Sequence, residues 1–115
     1  MAHVQASGKK TAFTPVPKEH RKEGYWKLLN NVIDPELGFG IVDLGLVYGV
    51  SLEEGIATVT MTFTSMGCPA IPEITRRVEA EIMRYPGVKD VAISVVWSPL
   101  WSIDLVDDAI RTLLF

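Results

Sequence analysis

The residue of this chain with the clearest capacity for chemistry is its single cysteine, Cys68. It lies in the run Ser65-Met66-Gly67-Cys68-Pro69, between a segment with strand periodicity and a segment with helical periodicity. Near the start of a helix, free backbone N–H groups and the helix dipole favour a thiolate over a thiol. A thiolate is the better nucleophile and the better ligand for soft metals. Because free cysteines are also among the most buried residues, an inert core cysteine is an equally good interpretation of this position.

The number of available ligands limits what Cys68 could hold. Iron-sulfur clusters commonly take about four protein ligands, so one thiolate needs Asp or His side chains, a second subunit or a partner protein beside it. Both histidines, His3 and His20, fall in a polar N-terminal stretch outside the predicted core. This argues against a dedicated Cys/His zinc site and against a Cys-His protease pair. We expect a site that is transient or shared between chains, which leaves a homodimer open.

Three acidic residues occur in an otherwise apolar, glycine-containing stretch, residues 34–45. Asp34, Glu36 and Asp43 could face Cys68 as hydrogen-bond acceptors or weak metal ligands. The alternative is an ordinary structural role in ending a helix and forming turns, where Asp-Pro is common. From the residues alone we favour the structural role.

Trp97 and Trp101 flank a proline directly after a predicted strand. They could form an exposed surface for partner binding, since tryptophan is enriched at binding hot spots. They could equally pack the final helix onto the sheet, and we slightly favour that role.

The elements that must position these residues follow from hydrophobic periodicity. Apolar residues at helical spacing predict three helices, the first ending before Asp34-Pro35 because the residue preceding a proline avoids the helical region. Alternating apolar and polar residues predict strands, the clearest over residues 57–64. The predicted elements, in order, are helix 25–33, strand 47–52, strand 57–64, helix 71–85, strand 91–97 and helix 104–114.

This order, α-β-β-α-β-α, predicts one compact α/β (α+β) domain with helices packed on a small mixed sheet. The unit of strand, helix and strand from residue 57 to 97 should have a right-handed crossover, which makes its two strands parallel. Residues 1–20 are polar and lack an apolar period. We therefore predict a flexible N-terminal arm over 1–20 and a folded domain over 21–115.

Composition narrows the class of protein. The 115 residues are 48% hydrophobic and 22% charged, which suits one packed domain. The net charge of −3 gives no basic field for nucleic acid or anionic lipid. The sequence has no apolar run of bilayer length, no apolar signal-peptide core and only one cysteine, so we predict a cytoplasmic protein without a membrane partner.

Five motifs, in the same order, resemble the metal-sulfur cluster assembly factor family, which includes SufT-like and PaaD-like bacterial proteins and the eukaryotic cytosolic iron-sulfur targeting component. The resemblance runs from about residue 22 to the C-terminus. The motifs are Asp34-Pro35-Glu36, residues 41–48 (IVDLGLVY), residues 62–69 (TFTSMGCP), Pro86-Gly87-Val88 and residues 97–101 (WSPLW).

The resemblance implies a compact α/β domain and a non-enzymatic role in assembling iron-sulfur clusters or delivering them to recipient proteins. It implies that Cys68 is the family's functional cysteine and a candidate ligand of a transient iron ion or cluster. The implied partners are iron-sulfur assembly proteins and apo recipient proteins. The residues implied to line the same region are Asp34, Glu36, Asp43, Thr64 and Gly67.

Three alternatives remain beside this prediction. The first is a thiol-based redox enzyme or sensor that uses a Cys68 thiolate. The second is a PaaD-like helper of an oxygenase in aromatic degradation, although PaaD-like members typically carry extra cysteines near the C-terminus and this chain has none there. The third is an interaction adaptor that acts through Trp97 and Trp101.

Overall fold

The computed structural model describes residues 2–6 and 15–114, with side chains described from residue 15 onward. In that part of the chain, a four-stranded mixed sheet packs against two helices. Two short 3-10 helices, Lys18–His20 and Ile103–Leu105, precede α1 and α3. The strands are β1 (Ala2–Ala6), β2 (Val47–Glu53), β3 (Ile56–Met61) and β4 (Asp90–Val95), and the helices are α1 (Gly24–Asn30), α2 (Ile71–Ile82) and α3 (Asp108–Leu114).

The strand order across the sheet is β1-β4-β3-β2. A turn at Glu54-Gly55 joins β2 to its antiparallel neighbour β3, and both residues have positive φ, as tight hairpin turns require. The connection through α2 makes β3 and β4 parallel, with Val59 opposite Ile93. This confirms the α/β class and the parallel pairing predicted for the strand-helix-strand unit.

Burial follows the predicted periods. Along β3, Ala57, Val59 and Met61 are buried, whereas Thr58 and Thr60 are half-buried on the opposite face. Along α2, the residues at helical spacing, Ile74, Val78 and Ile82, are fully buried. Fully burying an aliphatic side chain contributes about 1.5–3 kcal/mol, so these two stripes fix α2 against the sheet and place the turn between β3 and α2.

Helix boundaries differ from the predictions. The first helix ends at Asn30 because the chain tightens there: the N–H groups of Asn31 and Val32 bond to carbonyls three residues back. The last helix is capped by Asp107, whose Oδ1 accepts the Ala109 N–H at 3.0 Å, and Asp104 falls in a 3-10 turn. The predicted start of the last helix at residue 104 was therefore wrong, since α3 begins at Asp108.

The sheet also has a strand that the periodicity did not predict. Residues 2–6 pair in parallel with β4, and beyond them the Val16 N–H donates to the Tyr48 carbonyl at 2.9 Å. Parts of the predicted arm thus contact the sheet, whereas residue 1 and residues 7–14 of that arm lie outside the described residues. A five-residue strand held by backbone pairing leaves too short a pattern to detect. The division of the chain at residue 20 stays a prediction.

Within residues 2–6 and 15–114, none of the helices combines the length and the apolar character needed to span a bilayer.

Candidate functional site

The connection between α1 and β2 begins with a turn built on Asp34, which is buried. Its Oδ1 accepts the backbone N–H of Glu36 at 2.8 Å and that of Leu37 at 3.1 Å. Its carbonyl oxygen accepts the Gly38 N–H at 2.7 Å. Side-chain acceptance of N–H groups two and three residues ahead is the usual use of Asp in turns. Asp34 therefore organises the turn, and the turn presents Glu36.

Glu36 is the acidic residue that reaches the cysteine. The Cys68 Sγ lies 3.7 Å from Glu36 Oε1, so the thiol is placed to donate a hydrogen bond to the carboxylate. Cys68 is 9% exposed and packs with the hydrophobic core, whereas Gly67 and Pro69 on either side are exposed. The sulfur thus lies at the edge of the core, beside an exposed carboxylate.

The backbone holds Cys68 in a turn of its own before α2. Its N–H donates to the Ser65 carbonyl at 3.3 Å, and its carbonyl accepts the Ile71 N–H at 3.3 Å. The N-cap of α2 is Ala70, so Cys68 lies two residues ahead of the cap. Cys68 thus lies near the start of the helix but not in its first turn, because residues 69 and 70 form a turn before the helix begins. Helix-dipole effects fall off within the first turn, so the sulfur gains less from them than predicted.

Asp43 bonds to α1. Its Oδ2 accepts a hydrogen bond from Asn30 Nδ2 at 3.1 Å, and its backbone N–H donates to Asn30 Oδ1 at 3.0 Å. Its carbonyl accepts the Asp107 N–H at 2.8 Å. The side-chain partner of Cys68 is Glu36, so the structure separates three acidic residues that the sequence grouped: one shapes the turn, one meets the thiol and one ties the loop to its neighbours.

Thr64 and Gly67 are exposed residues of the segment that leads from β3 to Cys68. The Gly67 N–H donates to Ser65 Oγ at 3.1 Å. A Cβ added at Gly67 would meet only Ser65 Oγ, at 3.9 Å, so steric crowding does not require glycine here. Met66, between them, is 69% exposed and presents an apolar side chain close to Cys68 in the chain. A role for Thr64 and Gly67 in lining the site stays a prediction.

The two tryptophans are half-buried against the core. The Trp97 ring lies 6.3 Å from the Phe63 ring, and Trp101 Nε1 donates to the Leu44 carbonyl at 2.7 Å. Trp101 thus ties the chain after β4 to the loop before β2. These contacts give both side chains a packing role, and their use as partner-binding residues stays a prediction.

Charged residues beside Asp43 form a second polar region. Lys18 forms an ion pair with Asp107, which raises the pKa of Lys18 and lowers the pKa of Asp107 through the shared hydrogen bond. Burial lowers the pKa of Arg21, whose guanidinium lies 5.4 Å from the centre of the Trp26 ring. This region joins the segment before α1 to the segment before α3.

The donor set at Cys68 fits iron only in part. Sulfur and carboxylate oxygen are both acceptable iron ligands, and the structure brings one of each together. In the part of the chain that the structure describes, no three His, Cys, Asp or Glu side chains form a group that could hold a metal ion. Two donors cannot complete a site that commonly takes about four ligands.

Sequence reasoning missed Asn30. The residue belongs to none of the motifs, and its spacing on α1 carries no chemical signature. Its two bonds to Asp43 join positions 13 residues apart, which a local pattern cannot reveal.

Comparison with known proteins finds a family match that includes both Glu36 and Cys68. Residues 26–95 match the family described as iron-sulfur cluster assembly protein. The chain belongs to this family. Membership in the iron-sulfur cluster assembly protein family confirms the resemblance carried by the five sequence motifs.

Relatives and a solved structure agree with this assignment. The chain is 50% identical over 76 residues to the Fe-S protein maturation auxiliary factor SufT of Staphylococcus aureus, covering 65% of this chain and 86% of SufT. It is 47% identical over 88 residues to the Fe-S protein maturation auxiliary factor YitW of Bacillus subtilis, covering 76% of this chain and 86% of YitW. A domain of unknown function, DUF59, from Bacillus anthracis has the same fold, with a TM-score of 0.74 and 39% identity over 78% of this chain and 87% of that one.

Proposed function

We propose that this chain is a non-enzymatic accessory factor that helps assemble iron-sulfur clusters or deliver them to recipient proteins, with Cys68 as a transient ligand of the cargo. The observation that carries the proposal is the 3.7 Å contact between Cys68 Sγ and Glu36 Oε1 at the edge of the core. Membership in the iron-sulfur cluster assembly protein family supports it, as does the auxiliary-factor role that the names of SufT and YitW give those relatives.

The pair suits reversible binding. A thiol must lose its proton to ligate iron, and the Glu36 carboxylate is within reach to accept that proton as the sulfur-iron bond forms. When the cargo leaves, the proton can return to the sulfur. The carboxylate therefore allows Cys68 to bind and release iron without a large rearrangement of the chain.

The ligand count also defines what the partner must supply. Cys68 supplies one ligand while Glu36 holds its proton, so a cluster that takes about four ligands needs about three more from an assembly protein, a recipient or a second copy of this chain. We therefore propose assembly proteins and apo recipient proteins as partners, a shared cluster or iron ion as cargo, and the cytoplasm as the location. A homodimer is one way of completing the site.

The test is anaerobic transfer of a cluster from a loaded assembly scaffold to an apo recipient enzyme whose activity returns with its cluster. Cys68→Ser should slow the transfer by more than about tenfold, since loss of a mere neighbour of a metal ligand already costs about that much. Glu36→Gln should give an intermediate rate, because it keeps an oxygen near the sulfur but cannot take the proton. Ser51→Ala, an exposed position on β2, is the control and should transfer at the wild-type rate.

Wild-type transfer by Cys68→Ser, together with normal maturation of iron-sulfur enzymes in a strain carrying that variant, would refute the proposal. If Cys68 forms a sulfenic acid with peroxide while Cys68→Ser has no effect on cluster transfer, the thiol-based redox alternative is favoured instead. An effect confined to one aromatic-degradation oxygenase would favour the PaaD-like alternative.

A further inference from the structure

Backbone hydrogen bonds close the loop that carries Glu36, and one side chain of α1, Asn30, joins the base of this loop to Asp43. This side chain both accepts from and donates to Asp43: Oδ1 accepts the backbone N–H at 3.0 Å, and Nδ2 donates to Oδ2 at 3.1 Å. The first bond fixes the backbone of the loop and the second fixes the Asp43 carboxylate. Paired hydrogen bonds set both distance and orientation, which a single bond does not.

The same asparagine lies against the backbone of Gly40. A Cβ built at Gly40 would lie 2.2 Å from Asn30 Oδ1 and 2.4 Å from the Asn30 carbonyl oxygen. Only a residue without a side chain allows this approach. Gly40 pairs with Ile33 as an isolated antiparallel bridge, and the Ile41 N–H donates to the Val32 carbonyl at 2.9 Å. The residues between these contacts, including Glu36, therefore form a closed loop on the end of α1.

We propose that Asn30 is a positioning residue for the Cys68 site. By holding Asp43 and packing on Gly40, it keeps the loop in the one arrangement that brings the Glu36 carboxylate to the thiol. Asp43 then acts in the site through the loop and not as a ligand. This inference rests on the proposed function for its biological meaning, but its geometry and its test concern only the free protein.

The test detects the negative charge of Glu36 near Cys68 through its effect on the rate at which Cys68 is alkylated. Iodoacetate is negatively charged and iodoacetamide is neutral, and both alkylate a thiolate. A carboxylate beside the sulfur repels the first reagent and not the second, so the ratio of the two alkylation rates reports whether Glu36 is in place. A change in exposure of Cys68 alone changes both rates together and leaves the ratio nearly constant.

Asn30→Ala should raise the ratio of the iodoacetate rate to the iodoacetamide rate at Cys68 by roughly fivefold at low ionic strength. Glu36→Gln should raise it by a similar factor. In a chain that already carries Glu36→Gln, adding Asn30→Ala should leave the ratio unchanged, because the positioned charge is gone. That lack of additivity is what an action through Glu36 requires.

Two further variants separate positioning from general loss of structure. Asp43→Asn removes a charge but keeps an oxygen that Asn30 can donate to, so it should retain the wild-type ratio. Asp43→Ala loses the bond from Asn30 Nδ2 but keeps the backbone bond to Asn30 Oδ1, so it should raise the ratio by less than Asn30→Ala does. Asn31→Ala is the matched control: it is the next residue, and it loses a hydrogen bond to Glu81 on α2 at 3.3 Å. It should leave the ratio as in the wild type.

A wild-type ratio in both Asn30→Ala and Asp43→Ala, alongside a raised ratio in Glu36→Gln, would overturn the inference. So would equal and independent increases from Asn30→Ala and Glu36→Gln that multiply in the double variant. If Asn30→Ala fails to fold, as judged by circular dichroism, Asp43→Ala decides alone, because it removes the same side-chain bond from the other side. Failure of cluster transfer would reject the proposed function and leave these alkylation ratios untouched.

Discussion

At the scale of single residues, the three acidic side chains of residues 34–45 have different structural roles although all are carboxylates. Asp34 is buried and its Oδ1 accepts hydrogen bonds from two backbone N–H groups, whereas Glu36 is exposed and contacts the thiol of Cys68. Sequence alone grouped them, because an acidic residue in an apolar loop has the same appearance whether it shapes a turn or faces a ligand. The distinction depends on where the loop folds back, and that is decided by contacts with other segments.

Substituting Asp34 tests the structural role directly. Asp34→Ala leaves the N–H groups of Glu36 and Leu37 without their acceptor and should lower the free energy of unfolding by about 1–3 kcal/mol. Asp34→Asn keeps an oxygen acceptor and should cost less than about 1 kcal/mol. Urea denaturation of the two variants measures the difference. Equal losses would mean that the negative charge, and not the acceptor, is what the turn requires.

At the scale of elements, the hydrophobic period predicted the sheet core and α2, because each of these elements presents one long apolar face to the interior. Val59 on β3 and Ile74 on α2 are buried as predicted. The end of α1, the strand β1 and the contacts of Asn30 were not predicted, because they rest on backbone pairing and single polar contacts between distant segments. The glycines of the loop before β2 can be read from the sequence, but which of them lies against other atoms cannot.

Two glycines of this loop have a similar backbone conformation but differ in steric crowding. Gly38 and Gly45 both have positive φ, of 80° and 76°. A Cβ at Gly38 would meet nothing within 4 Å, whereas at Gly45 it would lie 2.3 Å from the Leu105 carbonyl oxygen. Gly38→Ala should cost about 1–2 kcal/mol of backbone strain. Gly45→Ala should cost roughly 2–5 kcal/mol, because crowding adds to the strain.

The free energies of unfolding in urea for the two alanine variants check this expectation. Similar losses would show that the segment before α3 gives way easily, and that Gly45 is needed only for its backbone conformation.

At the scale of the whole molecule, polar contacts join segments that the sheet does not bring together. Lys18 from the segment before α1 pairs with Asp107 at the start of α3, and the Asp107 N–H reaches the Asp43 carbonyl at 2.8 Å. The pKa of Asp107 lies below its ordinary 3.8, so its contribution to stability is present above that pH and is lost as the pH falls through the lowered value. The pKa of Lys18 lies above its ordinary 10.5, so its contribution is lost only as the pH rises through the raised value. The pair is therefore intact from about pH 4 to about pH 10.

Nuclear magnetic resonance titration of the Asp107 carboxyl tests this pairing. In the wild type it should titrate below its ordinary pKa, and Lys18→Met should move its pKa upward, since the first cause of the shift is the hydrogen bond from Lys18. Lys27→Met removes another exposed lysine, from α1, and should leave the Asp107 titration as it is. An unchanged Asp107 pKa in Lys18→Met would mean that the two side chains are not paired in solution.

The contact between Cys68 and Glu36 joins positions 32 residues apart, and it has a consequence for how this sequence can change over evolutionary time. A substitution at either position alters the surroundings of the other, so the effect of a change at one position should depend on the residue at the other. A chimera with a crossover between residues 36 and 68 would join a loop and a turn that were never selected together. We expect such chimeras to fold more often than they transfer clusters, and we expect the two segments to be inherited together.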